Sequence, residues 1–195
     1  YERGWGRVMK NKKILIIDDD QKMIDTYLGI LAPEESAVSD FAALTGIDVP
    51  TAGERFDTAT ALQGQDGASL AEEALSCGEP FSVAFIDMRM PPGWDGLKTA
   101  KKLRELDSRI YIVIVTAYTD KTVDEIHETL ERDVLLLRKP FNRDEIYQMA
   151  RTLVDAWNRS EEKRQVEKQL RYALKKYMAA SGKNRTIEEE LESKL

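Results

Sequence analysis

The chain has 195 residues, 29 of them basic and 35 acidic, for a formal net charge of −6. That length holds one α/β core of roughly 100–150 residues plus an appendage. The interspersed charges lack the concentrated positive footprint that direct nucleic-acid binding needs. No apolar run approaches the roughly 18 residues of a membrane helix, and no signal peptide opens the sequence, so a cytoplasmic protein without a membrane segment is expected. Cys77 is the only cysteine and His127 the only histidine. A disulfide framework, a thiolate cluster and a multi-histidine zinc site are thereby excluded.

Residues 1–11 read as an N-terminal extension outside the fold. Ile14 to Ile17 is a short, wholly apolar run that ends in Asp18, Asp19 and Asp20, as expected of a strand buried on both faces of a parallel sheet. Residues 21–31 follow with Ile24, Tyr27, Leu28 and Leu31 at helical spacing, and Pro33 ends that helix. Residues 33–54 form a long polar connection of a length uncommon in compact domains. The repeat resumes with a weak strand over 56–62 and a helix over 67–75.

A third strand over 81–86 ends at Asp87. A helix over 94–106, a strand over 111–115 ending at Thr116, a helix over 122–130, and a strand over 134–137 ending at Arg138, Lys139 and Pro140 complete the series. Strands alternating with helices specify an α/β, doubly wound, five-stranded parallel sheet. In such sheets ligands bind at the carboxyl ends of the strands, where all these polar residues fall.

Adjacent first and third strands would bring Asp18, Asp19 and Asp87 within a few ångströms. Like charges about 4 Å apart repel by roughly 4 kcal/mol at an effective dielectric near 20, so a proton or a cation must relieve them. Mg²⁺, a hard ion that accepts carboxylates and keeps room for phosphate oxygens, suits the site. Helix capping explains any single aspartate, Asp20 above all, but not the set. Lys139 and Thr116 add a positive charge and a hydroxyl of the kind that phosphoryl transfer uses. A carboxylate nucleophile needs no general base, in keeping with a site lacking histidine.

Four motifs, Ile16-Ile17-Asp18-Asp19-Asp20, Phe85-Ile86-Asp87-Met88-Arg89-Met90-Pro91, Val115-Thr116-Ala117-Tyr118 and Arg138-Lys139-Pro140-Phe141, stand in one order. The chain resembles, over residues 12–157, the receiver domain of bacterial two-component response regulators. The resemblance implies a flavodoxin-like (βα)5 fold and a signalling domain rather than a turnover enzyme. Asp87 would accept a phosphoryl group from a sensor histidine kinase or its phosphotransfer domain. Mg²⁺ (or Mn²⁺) would be held by Asp18, Asp19, Asp87 and the backbone carbonyl of Arg89. Lys139 would hold a phosphoryl oxygen, Thr116 would report phosphorylation, and small Ala117 would keep the site accessible. Pro140 would follow a cis peptide bond.

Three departures mark this sequence. The loop Met90-Pro91-Pro92-Gly93-Trp94-Asp95-Gly96 is one residue longer than usual, Leu136 replaces a customary aromatic switch residue, and the 33–54 connection is long. Arg89 and Tyr118 are the side chains expected to overhang the phosphorylated aspartate and slow its hydrolysis. Two alternatives stand beside the receiver: a Mg²⁺-dependent aspartate-nucleophile phosphohydrolase, disfavoured by Arg89 at the position of that family's second aspartate, and a non-phosphorylated pseudo-receiver scaffold.

Residues 144–178 contain neither proline nor glycine and can run as one helix of roughly 50 Å at about 1.5 Å per residue. Residues 158–195 are expected to form a helical or coiled-coil linker to a downstream module. Met149, Leu153, Ala156, Leu170, Leu174 and Tyr177 share one heptad seam, interrupted by Ser160, Lys163 and Glu167. A parallel homodimer through this helix and a solvated single helix are both compatible with it. Gly182 should end the helix, and residues 186–195 should form another, with Thr186 and Glu189 as a capping box. His127 reads as a surface residue and Trp94 and Trp157 as packing anchors.

Overall fold

The computed structural model describes residues 10–33, 54–117 and 134–181, with the side chains of the last helix described to Met178. The elements are β1 (Lys13–Ile17), α1 (Gln21–Leu31), β2 (Asp57–Ala61), α2 (Gly64–Ser76), β3 (Val83–Asp87), α3 (Gly96–Leu106), β4 (Tyr111–Thr116), β5 (Val134–Arg138) and α4 (Arg143–Ser181). The expected 122–130 helix with His127, the interior of the 33–54 connection, Tyr118, the break at Gly182 and the 186–195 helix lie outside the described residues.

All strand pairs are parallel and run in the order β2-β1-β3-β4-β5. The chain steps from β1 out to β2 and then back past β1 to β3, which makes the β1/β3 boundary the switch point of the sheet. Here the register pairs Ile17 with Ile86. One step further, Asp18 and Asp87 therefore face each other.

Side chains alternate between the two faces of each strand. Leu15, Ile17, Ala84, Ile86, Ile112 and Ile114 join Ala68 of α2 and Leu97 and Leu103 of α3 in one buried layer. Ile14, Ile16, Val83, Phe85, Val113, Val115 and Leu137 join Ile24 and Tyr27 of α1 and Ile146 and Leu153 of α4 in the other. The same alternation continues into the polar residues at the strand ends. Asp18 follows Ile14 and Ile16, Asp87 follows Val83 and Phe85, and Lys139 follows Leu137, so all three emerge above the α1/α4 layer.

Local signals fix the helix starts. Asp20 accepts from the backbone N–H of Lys22 at 2.9 Å and Asp95 from that of Lys98 at 2.8 Å. Asn142 and Glu145 cap each other reciprocally, each backbone N–H donating to the other's side chain at 2.9 Å.

The first compact unit ends at Asn158 and the second begins at Arg159, within α4. In the first unit Leu153 is buried and Met149 packs against the same layer, so the front of the anticipated heptad seam is the packing face of this unit's core and not an open surface. In the second unit Val166, Leu170, Tyr172 and Tyr177 are exposed. Trp157 is buried beneath the Arg109 guanidinium, 5.7 Å from the ring centre, and Trp94 is half-buried with the Lys98 ammonium 4.9 Å above it. No helix among the described residues is long and apolar enough to cross a membrane.

Candidate functional site: a carboxylate pair held by Lys139

The Lys139 ammonium donates to both strand-end carboxylates, at 2.5 Å to Asp87 Oδ1 and 3.0 Å to Asp18 Oδ2. The remaining oxygens are held by the backbone: Asp20 N–H donates to Asp18 Oδ1 at 3.0 Å and Arg89 N–H to Asp87 Oδ2 at 2.7 Å. Asp18 is 2% and Asp87 8% exposed. Both are therefore almost fully desolvated, which charged groups tolerate only when paired and hydrogen-bonded.

Burial pushes the Asp18 carboxyl above its ordinary value, and Asp87 adds to this, although the Asp20 N–H and Lys139 both pull it down. For Lys139 the opposite balance holds. Burial would lower it, but its hydrogen bonds to Asp87 and Asp18 outweigh that and hold the ammonium above the usual lysine value.

Of the three aspartates expected at the strand ends, Asp18 and Asp87 meet on the Lys139 ammonium. Among the described residues no three acidic, histidine or cysteine side chains already stand together as one group of ligands. Asp19, one residue beyond Asp18, is exposed. Lys139 brings positive charge to both carboxylates, beside the Mg²⁺ expected from the sequence.

Thr116 falls in step with Ile112 and Ile114, on the α2/α3 side of the sheet, and is buried. Its hydroxyl donates to the Ala117 carbonyl at 2.9 Å, and Ala117 itself is exposed. Lys139 N–H donates to the Thr116 carbonyl at 2.8 Å, and Met88 N–H to that of Val115 at 2.8 Å. The site is thus a short ladder across β3, β4 and β5. The Lys139–Pro140 peptide bond is cis, and so is Pro91–Pro92. Arg89 is exposed beside Asp87.

The lengthened loop is seated on the start of α2. Trp94 N–H donates to Gln65 Oε1 at 3.3 Å, and a Cβ at Gly93 would meet Gln63 Oε1 at 2.1 Å. Gly96 stands against backbone rather than side chain. A Cβ there would stand 2.5 Å from the Asp87 carbonyl oxygen and 2.9 Å from Met88 Cα. The sequence offered Gly96 only as part of a loop; its role as the contact that lets α3 start against the end of β3 emerges from the packing.

Comparison with known proteins agrees with this geometry. The family model described as "Response regulator receiver domain" matches residues 51–151. Sporulation initiation phosphotransferase F of Bacillus subtilis (strain 168) is 30% identical over 139 residues, 71% of this chain and 90% of that protein. Among solved structures, a CheY-like receiver domain protein from Methanospirillum hungatei JF-1 superposes with a TM-score of 0.56 at 20% identity, covering 76% of this chain and 98% of that one. An adenylate cyclase structure from Rhodopirellula baltica gives a TM-score of 0.60 at 21% identity, covering 81% and 98%; at such identities the likeness is one of fold. With the sheet order, the strand-end cluster and these matches in hand, the chain belongs to the response regulator receiver domain family of two-component signalling.

Proposed function

We propose that Asp87 accepts a phosphoryl group from the phosphohistidine of a sensor histidine kinase or its phosphotransfer domain, in the cytoplasm and with Mg²⁺ bound beside it. The observation that carries this reading is the Asp18–Lys139–Asp87 cluster at the switch point, two desolvated carboxylates on one ammonium. In the transfer, an Asp87 carboxylate oxygen bonds to phosphorus as the bond to the donor nitrogen breaks, and the electron pair leaves with the imidazole. The donor set suits the ion: Asp18 and Asp87 are hard oxygen donors on adjacent strands, and exposed Asp19 is next to one of them. Asp18, Asp19, Asp87 and the Arg89 carbonyl would hold it. Bound there, Mg²⁺ supplies charge neutralisation for the carboxylates and the incoming phosphoryl group.

Within the chain itself, Lys139 is already poised on Asp87 and needs only to exchange a carboxylate oxygen for a phosphoryl oxygen. Thr116, whose hydroxyl donates to the Ala117 carbonyl, is the hydroxyl that turns toward that group. Arg89, exposed beside Asp87, and Tyr118 slow hydrolysis of the product. Pairing of the segment after Asn158 with a second copy, through exposed Val166, Leu170 and Tyr177, carries the signal onward to a downstream module.

Incubation with acetyl phosphate and Mg²⁺, followed by intact mass measurement, tests the reading. A gain of one phosphoryl group that is lost in Asp87→Asn supports it. Multiple turnover of phosphate esters would support a phosphohydrolase instead, and an unmodified chain would support a scaffold.

A further inference from the structure

Tyr27 of α1 occupies an unusual place beneath this site. Its ring lies between Phe85, two residues before Asp87 on β3, and Phe141, two residues after Lys139, with centroids 5.6 Å away in each case and both contacts tilted. It belongs to the α1/α4 layer, the layer above which Asp18, Asp87 and Lys139 emerge. The side chain is 1% exposed, and its hydroxyl has no hydrogen-bond partner among the described residues. A phenylalanine would fill the same aromatic slot without burying an unsatisfied donor, which is a costly arrangement.

The hydroxyl stands within the field of the carboxylates. Burial, and after it the charges of Asp18 and Asp87, hold its ionisation well above that of an ordinary tyrosine. It therefore remains neutral and keeps its proton to donate. In the present arrangement the carboxylates do not call on it, because Lys139, Asp20 N–H and Arg89 N–H already hold their oxygens.

We propose that Tyr27 is a positioning residue of the phosphorylation site, its hydroxyl donating to the Asp18 carboxylate from below once Lys139 turns to the phosphoryl group. This inference rests on the phosphorylation reading above. The exchange conserves hydrogen bonds: Asp18 loses the ammonium and gains the phenol, so the buried carboxylate keeps a donor while its outer oxygen faces the ion. A donor behind a metal-binding carboxylate fixes its orientation, and removing such a partner typically weakens metal binding by about ten- to a hundredfold.

Tyr27→Phe in the full chain tests it, with calorimetric Mg²⁺ titration in the presence of beryllium fluoride as the phosphoryl stand-in, acetyl-phosphate labelling read by intact mass, and urea unfolding in divalent-free buffer. The expected result is Mg²⁺ binding weaker by about tenfold and slower labelling of Asp87, with a urea midpoint equal to or above that of the wild type. A purely structural role would lower the midpoint and leave Mg²⁺ binding intact. Wild-type Mg²⁺ binding and labelling in the variant overturn the inference alone. A wild-type chain that neither binds Mg²⁺ nor takes up phosphoryl overturns the phosphorylation reading and this inference with it.

Discussion

Lys139 and Asp87 are joined by a 2.5 Å contact across the carboxyl ends of β5 and β3, and the same ammonium reaches Asp18 at 3.0 Å. Removing it leaves two desolvated carboxylates facing each other. Lys139→Met should therefore lower stability at neutral pH by roughly 3 kcal/mol, read as a fall in the urea midpoint. Because the folded ammonium is held above the ordinary lysine value, the wild-type advantage is fully present below that value. It is lost only as pH rises through the raised one. A variant that matched wild type at pH 7 would refute the assignment of Lys139 as the charge that holds the pair.

Asp18 has the opposite sign. Its carboxyl is held above the ordinary aspartate value, chiefly by burial, so the folded chain binds this proton more tightly than the unfolded chain does. Stability is then greatest at low pH and declines as pH rises from the ordinary carboxylate value through the raised one. Asp18→Asn should remove that decline and raise the urea midpoint at pH 7 in divalent-free buffer, while abolishing Mg²⁺ binding. A destabilised Asp18→Asn chain at pH 7 would count against this account.

How much of this was legible in the sequence depends on the kind of information each residue carries. Apolar runs ending in aspartate marked β1 and β3 and their switch-point location, because a short β-branched run with a polar stop is what a strand buried on both faces requires. Pairing of Asp18 with Asp87 followed from adjacency, but the donation of one Lys139 ammonium to both of them did not. That depends on strand parity carried one residue past the last paired position. The front of the α4 seam was misread for a related reason: Met149 and Leu153 have the same spacing whether a helix packs on its own sheet or on another helix. The Tyr27 hydroxyl left no sequence signal beyond a tyrosine among aliphatic positions.

Gly96 offers a sharper test of how the site is assembled. The atoms a Cβ would meet are backbone, Asp87 O at 2.5 Å and Met88 Cα at 2.9 Å, and backbone cannot swing aside. Gly96→Ala should push the start of α3 off the end of β3, lengthening the 3.0 Å bond from Gly96 N–H to the Met88 carbonyl. The expected cost is about 1–3 kcal/mol, with slower phosphoryl uptake at Asp87. A wild-type labelling rate in a folded Gly96→Ala chain would show that α3 does not help to place Asp87.

At the far end of the sheet, Asn158 clasps the entry to β1. Its Oδ1 accepts from Asn11 N–H at 2.8 Å, and its Nδ2 donates to the Asn11 carbonyl at 2.8 Å and the Val154 carbonyl at 2.9 Å. Asn158→Ala should cost about 2 kcal/mol by leaving part-buried backbone groups unmade. Phosphoryl uptake should stay at the wild-type rate, since the clasp is at the amino end of β1 and the carboxylates at the other. Loss of labelling without loss of stability would mean that the two ends of the strand are coupled.

The segment after Asn158 yields a last prediction. Val166, Leu170 and Tyr177 are 63%, 58% and 70% exposed, and spacings of four and seven place them on one side of the helix. Exposed large side chains on one stripe are an association surface when they meet their own copy in register. Sedimentation of the full chain should show a concentration-dependent dimer that is lost in a Val166→Lys, Leu170→Lys variant. That variant should retain full Asp87 labelling, because neither residue belongs to the unit that carries the carboxylates. A wild-type chain that stays monomeric throughout, before and after acetyl-phosphate treatment, would assign this helix to a solvated single strand of the signal path and remove the dimer from it.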